Sequence, residues 1–353
     1  MAITSENEGL RCEPRPACPL CGAGRDPLFT GLRDRIYSAP GAWSIRECVP
    51  CGVAWLDPLP APEDVPRLYA GYHTHAAVPP RDPRSLRERI RRGYLRVALG
   101  YPGGNVGFGA LAACVPALKD VIAGSALWLP ARQGGRLLDV GCGSGTLIRA
   151  MRELGWVVQG LEPDAEAAKV AREVHGLEVH VGTLDGPEFR DTPFDALTAH
   201  HVIEHVPDPA AFLREAAARL APGGKLVVVT PNLRSLGRRR FGAAWVHWDP
   251  PRHFMLLTRA SLRIFAETAG LRVLELRTTG RAARLAWAQS RAIEREGRTG
   301  VEGIGPRWKG LAFQAWEQGR RWIGADSGEE LILRAEKADA GGAGRMDARI
   351  SRR

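Results

Sequence analysis

"RLLDVGCGSG", residues 136–145, is the stretch whose reading decides the fold. An aliphatic run ends at Asp139, a glycine-rich turn follows, and "TLIRAMRELG" (146–155) then reads as a helix closing on a glycine. A strand that enters a helix through glycines points backbone amides into the crevice at the carboxyl end of a sheet, where open α/β folds bind their ligands. The turn alone does not name the ligand, since nicotinamide enzymes lay a related G-x-G-x-x-G loop on a pyrophosphate. Asp139 discriminates further: its carboxylate would repel a pyrophosphate and suits the neighbourhood of a cationic amino-acid ligand.

Working outward, "WVVQGLE" (156–162), "LEVHVG" (177–182), "FDALTAH" (194–200) and "KLVVVTP" (225–231) read as strands, with "LRVLELRTT" and "EELILRAEK" later in the chain. Between them "PDAEAAKVAREVHG" opens with Pro163 at the first helical position and closes at Gly176, and "DPAAFLREAAARLAPGG" and "TRASLRIFAETAG" read as further helices. Strands alternating with helices at this spacing predict an α/β fold built on a doubly wound, mostly parallel sheet. Glu162, ending the second strand, is placed to accept hydrogen bonds from both hydroxyls of a ribose. Gly182-Thr183-Leu184, ending the third, could flank an adenine ring. Together these describe an adenosine ligand with positive charge and no pyrophosphate: S-adenosylmethionine.

Two Cys-x-x-Cys-Gly turns, "CPLCG" (18–22) and "CVPCG" (48–52), bring Cys18, Cys21, Cys48 and Cys51 within reach of one tetrahedral zinc ion, the pattern of a zinc ribbon. A disulfide pair is the weaker alternative in a cytosolic chain. The N-terminus holds no apolar run of the kind export requires, so a cytoplasmic location is expected. The 353 residues have ordinary globular composition, with 44% hydrophobic and 25% charged residues, which excludes wholesale disorder. The formal net charge of +10 gathers in arginine clusters such as "RSLRERIRRGYLR" (84–96) and "RSLGRRR" (234–240), which suit either phosphate-bearing partners or a solvated surface. The uncharged stretch 97–118 is long enough to span a bilayer but is broken by five Gly and two Pro. Residues 84–130 leave open a peripheral contact with the inner face of a membrane. The expected organisation is a ribbon over 1–57, a linker and helical cap segment over 58–131, a core over 132–280, a helical insertion over 281–325 capping the acceptor, a final core strand over 326–338 and a disordered tail over 339–353.

In their order, "LLDVGCGSG", "GLEPD", "FDALTAHHVIEHVPDP", "LAPGGKLVVVTPN" and "DPPRHFMLLTRASLRIFAETAGL" resemble the successive motifs of class I S-adenosylmethionine-dependent methyltransferases. More narrowly they are similar to the branch that carries an N-terminal zinc ribbon and is associated with sugar and surface-glycan biosynthesis. The resemblance covers roughly residues 15–75 and 135–280 and the closing strand. It implies a Rossmann-like seven-stranded sheet with an antiparallel last strand. It also implies a cofactor site lined by Asp139, Gly141, Cys142, Gly143, Gly145, Glu162, Pro163, Thr183, Leu184 and His200.

The resemblance also bears on "HHVIEH" (200–205), which fits the H-x-x-E-H pattern of an inverted zinc-peptidase helix. Pro207 and Pro209 leave no room for a long helix, and in this family the segment is a loop and short turn beneath the methyl donor. Similar loops in quinone O-methyltransferases hold a divalent cation, but His201 stands here at the first acidic position. For a hydroxyl acceptor the candidate bases are His201, His205 and His253, each equally open to an ordinary hydrogen-bonded role. His253 lies where sugar C-methyltransferases carry a Glu-His pair, yet Arg252 replaces the glutamate and those enzymes' long C-terminal domain is missing, which favours oxygen over carbon as the methylated atom. Tyr69, Tyr72 and His73 could line the acceptor pocket or form a packed helix, and Trp245 and Trp248 could stack on a sugar or close the core. The expected partner is a small-molecule or glycan acceptor. RNA is the alternative, disfavoured because the basic runs are not interleaved with aromatic pairs, and a non-catalytic zinc-ribbon binding protein is the third reading.

Overall fold

The computed structural model describes residues 5–69, 82–300, 307–324 and 326–338. Tyr72, His73 and the tail 339–353 lie outside the described residues. The N-terminal part is β throughout, with β1 (Ser5–Asn7), β2 (Leu10–Glu13), β3 (Pro27–Leu32), β4 (Trp43–Cys48), β5 (Val53–Asp57) and β6 (Leu59–Pro60). Three helices follow, α1 (Leu86–Leu99), α2 (Val106–Ala113) and α3 (Pro116–Gly124). Then strands and helices alternate: β7 (Arg136–Val140), α4 (Thr146–Glu153), β8 (Val157–Glu162), α5 (Ala165–His175), β9 (Glu178–Val181), β10 (Phe194–His200), α6 (Pro209–Arg219) and β11 (Leu220–Pro231). The chain ends with α7 (Leu236–Phe241), β12 (Met255–Leu257), α8 (Arg259–Thr268), β13 (Leu271–Thr279), α9 (Ala283–Glu296), α10 (Arg307–Trp322) and β14 (Glu330–Lys337).

The large sheet has seven strands in the order β13-β14-β11-β10-β7-β8-β9. β7 pairs in parallel with β8 and β10, β8 with β9, and β10 with β11, whereas β14 is antiparallel to both β11 and β13. This is the expected doubly wound sheet with an antiparallel closing strand. Its strands read as continuous aliphatic runs because both faces are covered. Leu138, Leu226 and Val228 face one way onto Phe212 and Leu213 of α6 and Phe265 of α8. Leu137, Val227 and Val229 face the other way, onto Ile148 of α4, Ala168 of α5 and Leu95 and Trp128 of the α1–α3 segment. Each fully buried Leu or Val contributes about 1.5–3 kcal/mol of burial energy.

A second sheet of four strands, β12-β5-β4-β3, joins the two parts of the chain: β12, from the last of the core motifs, pairs with β5 of the cysteine-rich segment. One expectation is corrected and one open alternative is decided. Asp164, not Pro163, starts α5: its side chain accepts hydrogen bonds from the Glu166 and Ala167 amides, leaving Pro163 one residue outside the helix. Trp245 and Trp248 are almost fully buried, 5.2 Å apart edge to face, and close the core rather than offering a stacking surface.

Candidate active site

Strand order reverses between β7 and β10, the switch point at which ligands bind such sheets. At β7's end the turn Gly141–Gly145 is pinned to the neighbouring strand: the Gly141 amide donates to the Leu161 carbonyl (2.8 Å) and the Gly143 amide to Glu162 Oε2 (2.7 Å). Gly141 has φ +68°, and a Cβ there would meet Val202 at 2.6 Å, so only glycine fits. Glu162 also accepts from the Asp164 amide through Oε1 (3.0 Å), which orients both carboxylate oxygens from below. Asp139 is buried against the Thr198 hydroxyl. Burial raises its pKa to about 7, Thr198 opposing and Glu162 adding to the rise, so a cation bound nearby would restore the carboxylate.

The remaining expected cofactor residues divide by position. Cys142 packs inward against Gly160 and spends its amide on Leu161. Gly145 sits at the start of α4 with φ +78°. Leu184 is buried, whereas Thr183 and Pro163 are exposed and Thr183 turns its hydroxyl to Asp185. His200, ending β10, lies against Trp128 with ring centroids 5.6 Å apart. Its Nε2 is buried with no hydrogen-bond partner among the described residues, and burial, then Arg281, hold its pKa down to about 3.

The three candidate bases lie in one neighbourhood but in different states. His201, at φ +52°, is clamped at both nitrogens, Nδ1 3.0 Å from Glu204 Oε1 and Nε2 2.9 Å from Glu330 Oε1, with Arg281 paired to Glu330 in turn. Burial opposes its charge, yet the two carboxylates outweigh burial and raise its pKa to about 10. With neither nitrogen free, His201 is a held imidazolium rather than a base, which corrects that expectation. Burial pushes Glu204 up, but His201 outweighs it and brings the carboxyl down to about 2.

His205 and His253 are arranged otherwise. His205 Nδ1 lies 2.9 Å from the Arg252 carbonyl and 3.0 Å from the Tyr69 hydroxyl, and His253 Nδ1 lies 2.7 Å from the His247 carbonyl. A carbonyl only accepts, so each Nδ1 carries a proton, and in the neutral form of either ring the lone pair lies on Nε2. The rings are 4.7 Å apart, and one ligand atom each from Glu204, His205 and His253 lie within 4.8 Å of one another. These three could take a proton or hold a divalent cation. Arg252 is fully buried between Asp34 (2.7 and 2.8 Å) and Asp249, so it anchors the loop before His253. Sequence reading missed Asp34, Arg281 and Glu330, which come from distant parts of the chain and carry no motif.

In the N-terminal part the sulfurs of Cys18, Cys21, Cys48 and Cys51 lie within 4.8 Å of one another, and Cys21 and Cys48 are 3.9 Å apart. Bonds of about 2.3 Å to one tetrahedral zinc put sulfurs about 3.8 Å apart, so the set fits such an ion. Gly22 and Gly52 close the two knuckles with φ +70° and +68°. Gly52 then braces the rest of the site: its carbonyl accepts from the Thr258 amide (3.0 Å) and the Ser261 hydroxyl (2.8 Å) at the start of α8.

A family model described as a methyltransferase domain matches residues 117–276. This stretch is a methyltransferase domain. It contains the glycine turn, Glu162 and all three candidate histidines. The chain is 38% identical over 128 residues to a ubiquinone biosynthesis O-methyltransferase of Caulobacter sp. (strain K31), covering 34% of this chain and 51% of that protein. It is 43% identical over 106 residues to the protein so named in Xanthomonas oryzae pv. oryzae (strain PXO99A), covering 28% and 44%. The chain thus spans about half the length of the curated relatives it matches. Among solved structures, an S-adenosylmethionine dependent methyltransferase from Mesorhizobium loti is similar at 18% identity, covering 61% of this chain and 96% of that one, with a TM-score of 0.42.

Proposed function

We propose that the protein transfers a methyl group from S-adenosylmethionine to a hydroxyl of a sugar, nucleotide-sugar or lipid-linked glycan. The observation that carries the methyl-donor assignment is the pairing of Asp139 and Glu162 at the ends of adjacent parallel strands across one glycine turn. This arrangement accepts a ribose diol and a cationic ligand and repels a pyrophosphate. Bound there, S-adenosylmethionine supplies an activated methyl, so the protein's tasks are alignment and exclusion of water.

For a hydroxyl acceptor the base is His253 or His205, in whose neutral rings the carbonyls at Nδ1 leave Nε2 to accept the proton. Burial first, then the neighbouring His253, hold His205 at about 4, so it is neutral at physiological pH. His201 contributes a fixed positive charge beside Glu204 and Glu330. A divalent cation held by Glu204, His205 and His253 is a second way to lower the acceptor's pKa, favoured by the two carbonyl-anchored imidazoles. The names of the relatives support oxygen as the methylated atom. The sugar assignment rests on the resemblance of the ordered motifs to those of ribbon-bearing glycan methyltransferases. The four-cysteine site is assigned to structural zinc.

The test is transfer of radiolabelled methyl from S-adenosylmethionine into host extract, fractionated into RNA, lipid-linked material and small molecules. Label in a glycan or nucleotide-sugar fraction is the expected result. Label confined to RNA would overturn the acceptor assignment, and no label in any fraction would overturn the activity. His253→Ala should keep cofactor affinity and lose turnover by about 10²–10⁴-fold, the usual worth of a general base.

A further inference from the structure

The α1–α3 segment covers one face of the large sheet, and among the described residues its outer surface is left exposed. α2, "VGFGALAA", contains no charged or hydrogen-bonding side chain. A helix apolar all round is ordinarily buried. α2 is not: Gly109 and Ala112 are buried, while Val106 is 51% and Leu111 67% exposed. The buried edge is fixed by glycine, since a Cβ on Gly93 of α1 would meet the Asn105 carbonyl at 2.4 Å and Gly109 N at 2.8 Å. The two backbones therefore touch along one edge and direct the rest of α2 outward. The exposed aliphatics continue through Val115, Leu118 and Val121 into α3.

Asp82 is exposed just before α1, but from Arg84 onward the segment's exposed charges have one sign. From Arg84 to Val121 every exposed charged side chain is cationic, namely Arg84, Arg87, Arg89, Arg92, Arg96 and Lys119. The acids of the same stretch, Glu88 and Asp120, are buried and paired with Arg91 and Arg277. The cations and the aliphatics are also in contact: Arg89 lies over the Phe108 ring at 5.0 Å, and Arg96 donates to the Gly104 carbonyl just before α2. Beyond α3, Trp128 packs on His200, so the segment runs from this surface to the wall of the candidate active site.

We propose that the α1–α3 surface docks on an anionic phospholipid bilayer, the α2–α3 aliphatics entering the headgroup boundary and the α1 arginines meeting lipid phosphates. An interface of this kind needs both buried apolar area and cationic charge. A nucleic acid would use the arginines but gains nothing from exposed Val and Leu, since base stacking requires aromatic rings. No helix among the described residues is long and apolar enough to cross a membrane, so the contact is peripheral. The inference stands apart from the acceptor assignment and holds whichever molecule is methylated.

Co-sedimentation of the full chain with vesicles tests it. Binding to phosphatidylcholine vesicles containing phosphatidylglycerol, weak binding to phosphatidylcholine alone, and release by high salt are the expected results. Leu111→Gln should lower the partition coefficient on the order of tenfold. Arg84→Gln and Arg87→Gln, at side chains that make no ion pair among the described residues, should each lower it about fivefold. Absence of vesicle binding, equal binding to both compositions, or salt-sensitive retention on total RNA with no vesicle binding would each overturn the proposal. Because the readout is lipid partition, an inactive enzyme that still sediments with anionic vesicles would leave this inference standing and count against the methyl-transfer reading alone.

Discussion

Glu162 is held at both carboxylate oxygens by the Gly143 and Asp164 amides, which fixes the carboxylate at the end of β8 beside the glycine turn. Removing it takes away a charged acceptor of ribose hydroxyls, each such bond being worth about 1.5–3 kcal/mol. Glu162→Ala should therefore weaken S-adenosylmethionine binding on the order of tenfold to a hundredfold. Calorimetry showing unchanged affinity would remove Glu162 from the cofactor site. His201 gives a second expectation at this scale, from pH. Its pKa is raised from 6.5 to about 10 by Glu204 and Glu330 against burial. A raised histidine contributes stability that is fully present below 6.5 and is lost as pH rises through the folded value near 10. The unfolding midpoint of the native chain should fall across that window, and His201→Asn, which tolerates the left-handed backbone at φ +52°, should flatten the slope. A native midpoint constant from 6.5 to 10 would mean that the imidazolium is not held as described. Both expectations also show what could be read from sequence. Glu162 was legible because it ends a strand one turn from the glycine loop. His201's protonation was not, because Glu330 lies 129 residues away and burial cannot be read from a motif.

Individual strands and helices of the core were legible because each carries its own period and its own stops: aliphatic runs ended by glycine turns and polar or proline residues at helix starts, although at α5 the cap is Asp164 and not the proline. Asp164, Asp208 and Thr258 all accept amides of their own first turns. What local reading could not supply was which elements meet. The sequence of 84–130 shows weak helicity with Gly and Pro breaks, and only the structure reveals that two of those glycines, Gly93 and Gly109, are the contact between α1 and α2. Gly93→Ala tests that contact. Alanine favours an isolated helix, but here its methyl would have to enter space occupied by the Asn105 carbonyl at 2.4 Å. Overpacking of this kind costs about 1–3 kcal/mol, so thermal unfolding should begin at a lower temperature in Gly93→Ala than in the native chain. A variant as stable as the native chain would show that the helices are free to move apart.

Over the whole molecule the cysteine-rich segment and the methyltransferase domain look separable by composition, and a boundary near residue 57 follows from that reading. Strand pairing and backbone hydrogen bonds join the two. β12 completes the sheet begun by β3, β4 and β5, Leu56 donates to the Phe254 carbonyl, and Phe254 in turn donates to the Glu204 carbonyl (2.7 Å). Gly52, closing the second cysteine knuckle, holds Thr258 and Ser261 at the head of α8. The path from the four cysteines to His253 is thus a run of backbone hydrogen bonds through residues 52–56 and 254–258, whereas Asp139 and Glu162 hang from β7 and β8 of the other sheet. Loss of the zinc proposed for the four cysteines should then act unevenly. Cys48→Ser, or treatment with a strong chelator, should abolish bound zinc, lower the unfolding temperature and depress turnover by loosening the segment that carries His205 and His253, while cofactor affinity changes little. Metal analysis, calorimetry with S-adenosylmethionine and turnover measured on the same preparations separate the outcomes. Equal loss of cofactor binding would mean that the metal supports the whole fold, and full turnover without zinc would mean that the shared sheet does not couple the two parts.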